Sequence, residues 1–263
     1  MSAPATLPAA AEAWSRTHRV EVDGRAIRFR EAGAGPAVVL VHGLGLSADF
    51  WLRNGPPLAA AGFRVWAPDL PGFGRTGGPA GLSVGEQAGW VDAWAAAAGV
   101  GPAAYVGHSI SCQAVLELAA TRPGRVTALV LAAPTGDPRP GRLLRQAAGF
   151  LADPVLEPPD VFVRVGEAYA RAGPHRWLRT WWLAARHDAL AAARRAYVPG
   201  IVILGRRDPV VREAFARELA GALPGGRFVR LTAGAHAVVF DAAEEFNREA
   251  IAFLREVAPD RSA

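Results

Sequence analysis

The chain contains a series of short, almost continuously apolar segments, each bounded by glycine or proline and separated by helix-like stretches. Six such segments lie at residues 37–43 (AVVLVHG), 63–69 (FRVWAPD), 103–108 (AAYVGH), 126–134 (VTALVLAAP), 200–205 (GIVILG) and 227–234 (RFVRLTAG). Strands that are apolar on both faces are typical of parallel sheets buried between two layers of helices. One intervening stretch begins at Ser83, with Glu86 at the spacing of a capping box. The pattern predicts an α/β fold, a mostly parallel sheet with helices on both faces.

Two intervals depart from this alternation. The segments HRVEV and AIRFREAG flank Asp23 and Gly24, a dipeptide typical of a tight hairpin, so we expect the sheet to begin with an antiparallel pair. Residues 135–198 contain no strand-like run, although a crossover between parallel strands needs only about a dozen residues. We therefore expect residues 1–134 and 199–263 to form the core and residues 135–198 to form a helical cap; an ordinary long crossover is the alternative.

Composition narrows the class of protein. Hydrophobic residues make up 51% of the 263 residues, which is enough for one large α/β domain. The net charge of +5 is that of some nucleic-acid-binding proteins, but all 29 basic residues are arginines scattered among alanine, glycine and proline. This distribution indicates a compositional bias of the genome rather than a basic patch. We expect a small-molecule substrate and no nucleic-acid partner; the sequence makes no prediction of the oligomeric state.

Cysteine usage and hydropathy bear on the compartment. The single cysteine, Cys112, excludes an internal disulfide and a cysteine-based metal site and is typical of a reducing compartment. The N-terminal stretch has no basic region and carries Glu12 where a signal peptide needs an apolar core. No apolar run approaches the roughly 20 residues of a membrane span. We expect a cytoplasmic protein without a membrane partner, and no dinucleotide or metal motif predicts a cofactor.

Ser109 stands at the junction between a strand-like run, which ends at His108, and a helix-like segment over residues 112–124. Ligands of parallel α/β sheets bind at the carboxyl ends of the strands. The small residues Gly107 and Ser111 allow a sharp strand-to-helix turn with the serine hydroxyl at its apex. The junction predicts that Ser109 is a nucleophile. Short matches of this kind also arise by chance, so an ordinary polar loop remains the alternative.

A serine hydroxyl needs a base, which is nearly always histidine. Of the six histidines, His236 lies just beyond the last strand and before the final helix, where a base is needed. His42 ends a strand within the segment HGLG, which favours a role in the loop, and His108 is expected to point away from the serine. The others precede the first strand or lie in the predicted cap: His18, His175 and His187. A histidine in a loop is usually structural, so the assignment of His236 depends on Ser109.

The base needs a carboxylate to orient it. Asp208 follows a strand in the segment GRRDPVV and is the first candidate. The alternative is that Asp208 caps a helix that begins at Pro209, a common arrangement. Asp137, at the end of another strand, is the reserve candidate. Asp241 is too close to His236 in the chain to orient its ring easily.

Acyl transfer also needs donors for the developing oxyanion, each worth about two to three powers of ten in turnover. The backbone N–H of Ile110, at the start of the helix after the serine, is one candidate. The second is the N–H of Leu44, because Gly43 and Gly45 on either side allow the backbone to turn toward the serine. These glycines could also form no more than a tight turn.

Taken together, these segments strongly resemble the α/β-hydrolase superfamily. The motifs VHGLG, PDLPGFGRT, VGHSIS, RPGRVTALVLAAP, ILGRRDPVV and AGAHAVVFDAAEEFN occur in the order of that family. The resemblance implies an α/β-hydrolase fold with Ser109 as nucleophile, Asp208 as acid and His236 as base, in the chain order this fold uses. It also implies that Leu44 and Ile110 supply the oxyanion donors.

Two features distinguish this chain within the family. A serine nucleophile separates it from members that attack with aspartate, namely the epoxide hydrolases and haloalkane dehalogenases. Ser111 stands where the turn usually carries a second glycine. The segment GHSIS is also similar to that of hormone-receptor members, in which an intact triad serves signalling.

The predicted cap carries residues that could shape a substrate pocket. Trp177 and Trp181 have helical spacing there, and with His108, next to the serine, they are candidate pocket residues. Further apolar surface comes from Phe150, Phe162 and Leu178. The alternative is that these side chains only pack the cap against the core. Arg176 and Arg179 are candidates for binding a substrate carboxylate, although arginine is frequent throughout the chain.

The leading prediction is a hydrolase for a small, apolar ester, thioester or lactone that acts through an acyl-enzyme on Ser109, without a cofactor. Hydrolysis of a carbon–carbon bond in a dienone-type substrate uses the same residues and is the first alternative. The second alternative is a ligand-binding or signalling protein with slow turnover.

Overall fold

A single eight-stranded sheet organises the chain. The computed structural model describes residues 6–79 and 81–258, and for residues 159, 160, 162 and 164 the backbone alone. The strands of this part are β1 (His18–Val22), β2 (Arg25–Gly33), β3 (Ala37–Val41), β4 (Arg64–Pro68), β5 (Ala103–His108), β6 (Val126–Ala132), β7 (Gly200–Leu204) and β8 (Arg227–Arg230). Their order in the sheet is β1-β2-β4-β3-β5-β6-β7-β8. Strands β3 to β8 pair in parallel, which confirms the predicted α/β fold with a mostly parallel sheet.

Eleven helices connect or flank these strands in the described residues. They are α1 (Leu7–Ser15), α2 (Gly55–Ala60), α3 (Val84–Ala97), α4 (Ser111–Thr121), α5 (Arg142–Leu156), α6 (Pro159–Ala172), α7 (Pro174–Ala184), α8 (Ala189–Arg195), α9 (Glu213–Gly221), α10 (Val238–Asp241) and α11 (Ala243–Val257). The capping box of α3 is present: the Ser83 hydroxyl accepts from the Glu86 N–H, and the Glu86 carboxylate accepts from the Ser83 N–H. None of the described helices is both long and apolar enough to cross a bilayer.

The antiparallel start of the sheet is also confirmed. Strand β1 pairs with β2 in a register that joins Val22 to Arg25, so Asp23 and Gly24 form the turn. Both have positive φ, 47° for Asp23 and 71° for Gly24, which the primed hairpin turns require and which aspartate and glycine tolerate.

The sheet is buried in its centre and partly exposed at both edges, β1 and β8. All residues of β5 and β7 are buried, as expected for strands covered on both faces. Strand β8 differs from the prediction, because Arg227 and Arg230 at its ends are exposed and the two residues between them are half-buried. The reason is its edge position, where β8 pairs with β7 alone.

Helices α5 to α8 lie between β6 and β7 in the chain, so the interval without strand-like runs is helical. They are called here the inserted helices. Their grouping as a cap separate from the core stays a prediction. They bring apolar side chains and two carboxylates to the carboxyl end of the sheet, where the candidate site lies.

A buried ionic network, which sequence reasoning missed, shapes the loop after β3. Arg28, only 2% exposed, lies 3.3 Å from the carboxylate of Asp69 and 2.5 Å from that of Asp49. The Asp69 carboxylate also accepts hydrogen bonds from the N–H groups of Ala48 and Arg75. Because a buried carboxylate is stable only with such partners, the network holds the loops after β3 and β4 together.

Candidate active site

Ser109 lies on a sharp turn between β5 and α4. Its φ is +57°, a conformation that is strained for a residue with a side chain and typical of a nucleophile elbow. The turn leaves little room: a Cβ atom on Gly107 would lie 2.8 Å from the backbone nitrogen of Cys112. The small residue at position 107 is thus required for the chain to turn here.

Ser111 replaces the usual second glycine of the turn and contributes hydrogen bonds of its own. Its buried hydroxyl donates to the carbonyl of Val41, at 2.6 Å, and accepts from the N–H of His108, at 2.8 Å. The hydroxyl therefore joins the end of β5 to the end of β3. A glycine would leave the His108 N–H without this partner.

We expect Ser111→Ala to lower the free energy of unfolding by about 1–3 kcal/mol, the cost of leaving buried hydrogen-bonding groups unpaired. Chemical denaturation measures this. Thr121→Ala is the matched control, because that hydroxyl bonds a carbonyl at the exposed end of the same helix. Equal effects of the two substitutions would contradict the role assigned to Ser111.

All four hydrogen-bonding groups of His236 have protein partners. Nε2 lies 2.9 Å from Oγ of Ser109, and Nδ1 lies 3.0 Å from Oδ2 of Asp208. The backbone N–H donates to Asp153 at 3.2 Å, and the carbonyl accepts from Nε2 of His108 at 2.9 Å. Because Nδ1 faces a carboxylate it carries the proton, which leaves Nε2 free to accept the proton of the serine hydroxyl.

Burial opposes protonation of His236, but the adjacent Asp208 carboxylate outweighs it, so the pKa of His236 is raised above its ordinary value; Asp153 and Glu157 act in the same direction. If His236 is the base, it must be neutral to act. We therefore expect kcat/KM for ester hydrolysis to fall as the pH decreases through a value above about 6.5, the ordinary histidine pKa. Initial rates across a pH series test this, and an acid limb centred well below that value would contradict it.

Asp208 uses its two carboxylate oxygens differently. Oδ2 faces His236, while Oδ1 accepts from the N–H groups of Val210 and Val211, at 2.8 and 3.0 Å. The alternative that Asp208 caps a helix beginning at Pro209 is wrong, because helix α9 begins at Glu213. The two backbone bonds instead hold the carboxylate in a tight turn, as aspartate side chains commonly do.

The other carboxylates considered for this role lie elsewhere. Asp137, the reserve candidate, forms ion pairs with Arg139 and Arg212, each near 3 Å. Asp241 accepts from the N–H of Ala235 at 2.5 Å. Neither carboxylate is hydrogen-bonded to the ring of His236.

The two candidate oxyanion donors flank Ser109 from different loops. Leu44 and Ile110 are both buried and belong to one apolar cluster. In residues 6–79 and 81–258, neither backbone N–H donates to a protein acceptor. Gly45, next to Leu44, has a φ of +72°, which lets this loop turn as predicted.

Two buried histidines form hydrogen bonds with the backbone around the site. His42 donates from Nδ1 to the carbonyl of Gly43, and its Nε2 accepts from the N–H of Leu70, both at 2.9 Å; the predicted loop role of His42 is confirmed. His108 borders the cavity described next, and its ring faces the carbonyl of His236. Burial lowers the pKa of His108 to about 3, so it is neutral and Nε2 is its donor. Sequence reasoning missed this contact, because it joins residues far apart in the chain.

A cavity of about 480 Å³ opens at Ser109 and His236. Its wall is mostly apolar and includes Leu46, Phe50, Phe150, Tyr169, Trp177 and Trp181. Leu151 and Leu178 also border it while remaining 82% and 46% exposed, so they lie at its mouth. Among the described residues, Asp153 is the only carboxylate in the lining. The cavity has the size and apolar character of a small-molecule site.

The structure separates the candidate pocket residues into two groups. His108, Trp177 and Trp181 border the cavity, and Trp181 donates from its indole N–H to Gln146. Arg176 instead donates to the carbonyls of Pro79 and Ala172. No arginine whose side chain the structure describes borders the cavity, and the side chain of Phe162 lies outside the described part.

Comparison with known proteins identifies the family of the chain. A family model described as alpha/beta hydrolase fold matches residues 36–156. The chain is 30% identical to the dihydrolipoyllysine-residue acetyltransferase component of the acetoin cleaving system of Pseudomonas putida, over 90% of this chain and 69% of that protein. The chain belongs to the α/β-hydrolase superfamily. Its predicted membership is thereby confirmed.

Other relatives of this α/β-hydrolase chain carry different activities in their names. It is 28% identical to the 2-hydroxy-6-oxo-6-phenylhexa-2,4-dienoate hydrolase of Comamonas testosteroni, over 88% of this chain and 91% of that one. The enol-lactonase of Burkholderia xenovorans has the same fold, with a TM-score of 0.78, 24% identity and coverage of 90% and 100%. Some matches are partial: the one to the acetoin-cleaving component of Cupriavidus necator covers 31% of that protein.

Proposed function

We propose that the protein hydrolyses a small, neutral and apolar ester, thioester or lactone through an acyl-enzyme on Ser109. The observation that carries this proposal is the hydrogen-bond chain from Ser109 through His236 to Asp208, which opens into an apolar cavity. The chain supplies a nucleophile, a base and an orienting carboxylate, the three parts that acyl transfer needs.

In the proposed reaction, His236 Nε2 takes the proton of Ser109 as Oγ bonds to the acyl carbon. The carbonyl oxygen becomes an oxyanion, which the N–H groups of Leu44 and Ile110 stabilise. His236 then donates the proton to the leaving oxygen or sulfur as its bond to the acyl carbon breaks. Water then gives a proton to His236 as its oxygen bonds to the acyl carbon. The bond between that carbon and Oγ breaks and His236 returns the proton to Oγ, which releases the acid and restores the serine.

The cavity lining supports an uncharged substrate. A carboxylate that enters an apolar cavity without a cationic partner costs several kcal/mol, roughly the desolvation penalty of an unpaired ion. The described arginines lie outside the lining, and Asp153 adds repulsion for an anion when ionised. These observations favour neutral acyl groups that fill the space between the aromatic side chains.

A series of p-nitrophenyl esters, from acetate to laurate, tests the substrate class. We expect kcat/KM to reach its maximum at a neutral acyl group of intermediate length, and a matched ester with a free carboxylate to react at least about tenfold more slowly. Trp181→Ala removes a ring from the wall and should shift the optimum toward longer chains.

Trp182→Ala is the control for this series, because the neighbouring indole is 50% exposed and does not border the cavity. If the optimal acyl-chain length shifts equally in both variants, the change acts through the stability of the protein and not through the shape of the pocket. A preference for charged or polar esters would contradict the apolar-pocket proposal.

Hydrolysis of a carbon–carbon bond is the second candidate. The observation in its favour is the similarity to the dienoate hydrolase of Comamonas testosteroni over most of both chains. Against it stands the cavity wall, in which no described arginine is available for a dienoate carboxylate. Profiling the protein across esters, thioesters, lactones and vinylogous diketones distinguishes the two reactions. Labelling of Ser109 by a fluorophosphonate with negligible turnover of every substrate would instead favour a binding or signalling role.

A further inference from the structure

One face of helix α5 lies against both loops that carry the partners of Ser109. A Cβ atom on Gly149 would lie 2.6 Å from the carbonyl oxygen of Pro209, next to Asp208, so the helix touches the loop that carries Asp208. One residue later, the ring of Phe150 lies edge-on to His236, with 5.7 Å between ring centroids. Asp153 on the same helix and Glu157 at its C-terminal cap reach residues 231–237, the loop between β8 and α10 that carries His236 and is called here the histidine loop. Phe150 and Asp153, three residues apart, lie on one side of α5, and Glu157 follows directly after the helix ends at Leu156.

Three carboxylates bind three successive backbone N–H groups of the histidine loop. Asp241 accepts from the N–H of Ala235 at 2.5 Å, and Asp153 accepts from that of His236 at 3.2 Å. Glu157 accepts from the N–H of Ala237 at 2.7 Å. Hydrogen bonds from backbone N–H groups to carboxylates are among the stronger ones in proteins. Two of these three acceptors belong to α5 or its C-terminal cap, so an inserted helix fixes the backbone on both sides of the His236 ring.

The carboxyl groups of Glu157 and Asp241 influence each other electrostatically. Each keeps one buried oxygen, Oε2 of Glu157 and Oδ1 of Asp241, without a hydrogen-bond partner among the described residues. A buried acceptor without a donor is costly. A single proton on this pair would supply the missing donor and would remove the repulsion between two buried negative charges.

We propose that Glu157, together with Asp153, is a positioning residue that ties the His236 loop to helix α5, and that the Glu157–Asp241 pair does so in its singly protonated form. The proposal rests on the proposed function, in which His236 is the base. In this proposal, the position of the inserted helix α5 determines how the ring of His236 is aligned. Loss of the hydrogen bond between Glu157 and the Ala237 N–H should lower kcat more than it changes KM, because Glu157 does not border the cavity.

The groups that face Glu157 determine how the tie responds to pH. Burial raises the pKa of Glu157 to about 8, and the negative charges of Asp241 and Asp153 act in the same direction. The Ala237 N–H and His236 oppose this rise. Burial also raises the pKa of Asp241, and its hydrogen bond from the Ala235 N–H and the charge of Arg207 act against that rise. Below about pH 8 the pair holds its proton; above that value Glu157 ionises beside Asp241. We therefore expect the loop to loosen, and kcat to fall, on the alkaline side.

Two substitutions at Glu157 separate the hydrogen bond from the charge. In Glu157→Gln the amide oxygen still accepts from the Ala237 N–H and the amide N–H donates to Asp241, as the protonated acid does. Glu157→Ala removes both contacts. Glu167→Ala is the control, since it removes an exposed glutamate from the inserted helices at α6. For each variant we would measure kcat and KM for an aryl ester across pH, and hydrogen exchange of the peptide over residues 233–241.

We expect Glu157→Ala to lower kcat by about tenfold to a hundredfold, the effect of misplacing a catalytic group by roughly 1 Å, and to accelerate exchange in this peptide. Glu157→Gln should keep the wild-type kcat at neutral pH and lose the alkaline decline. Exchange and kcat that are unchanged in Glu157→Ala would overturn the proposal, as would an alkaline decline retained in Glu157→Gln. If the wild-type protein neither turns over any ester nor reacts with a fluorophosphonate, the proposed function fails, and the exchange rates alone decide whether the tie exists.

Discussion

Replacement of Ser109 by alanine is expected to lower kcat for an aryl ester by at least about a thousandfold, because the nucleophile and its covalent intermediate are lost together. The same substitution should abolish labelling by a fluorophosphonate. Residual hydrolysis would come from the cavity and the backbone N–H groups of Leu44 and Ile110, which still bind the substrate and its developing oxyanion.

Ser111→Ala is the matched control for this experiment, since that serine lies two residues away in the same turn. Its hydroxyl bonds Val41 and His108 and has no nucleophilic role in the proposal, so the variant should still be labelled at Ser109. Hydrolysis that survives in Ser109→Ala and disappears in Ser111→Ala would show that the nucleophile is not Ser109.

Replacement of Asp208 by asparagine is expected to lower kcat by about a hundredfold to ten-thousandfold while the fold is kept. The amide can donate to Nδ1 of His236 and so stabilise the tautomer with its proton on Nε2, which cannot accept the proton of Ser109. The turn at Val210 and Val211 should persist, because the amide oxygen still accepts from their N–H groups.

Asp137→Asn is the control that decides between the two aspartates. Asp137 also follows a strand, but it pairs with Arg139 and Arg212, so its loss should change stability and leave kcat within about twofold, as for a site outside the reacting groups. A larger loss of kcat in Asp137→Asn than in Asp208→Asn would contradict the proposed role of Asp208.

Much of the fold was predictable because its determinants are local. Each parallel strand is marked by a short apolar run, and the hairpin at Asp23 and Gly24 by a dipeptide that tolerates positive φ. The prediction was weakest where position in the sheet matters, as at the exposed edge strand β8. It also misjudged the segment after Asp208, where a tight turn precedes helix α9.

The candidate site also has a part that was predictable from the sequence and a part that was not. Ser109, Asp208 and His236 could be singled out because each follows a strand, and the carboxyl ends of parallel strands meet at one edge of the sheet. Their roles stay predictions until the substitutions above are measured. The ties from Asp153 and Glu157 to the histidine loop had no signal in the sequence, since acidic residues on a helix are usually solvated.

The order of the amino acids is enough to predict the α/β-hydrolase fold and the three residues whose hydrogen bonds link at the sheet edge. These follow from periodicity, turn residues and chain order, which are properties of neighbouring residues. The surroundings of those residues became visible in the folded chain: the hydroxyl of Ser111 between two strands, His108 against the His236 carbonyl, and helix α5 against the histidine loop. Such contacts join segments that are far apart in the chain, so their geometry is set by how the helices pack on the sheet.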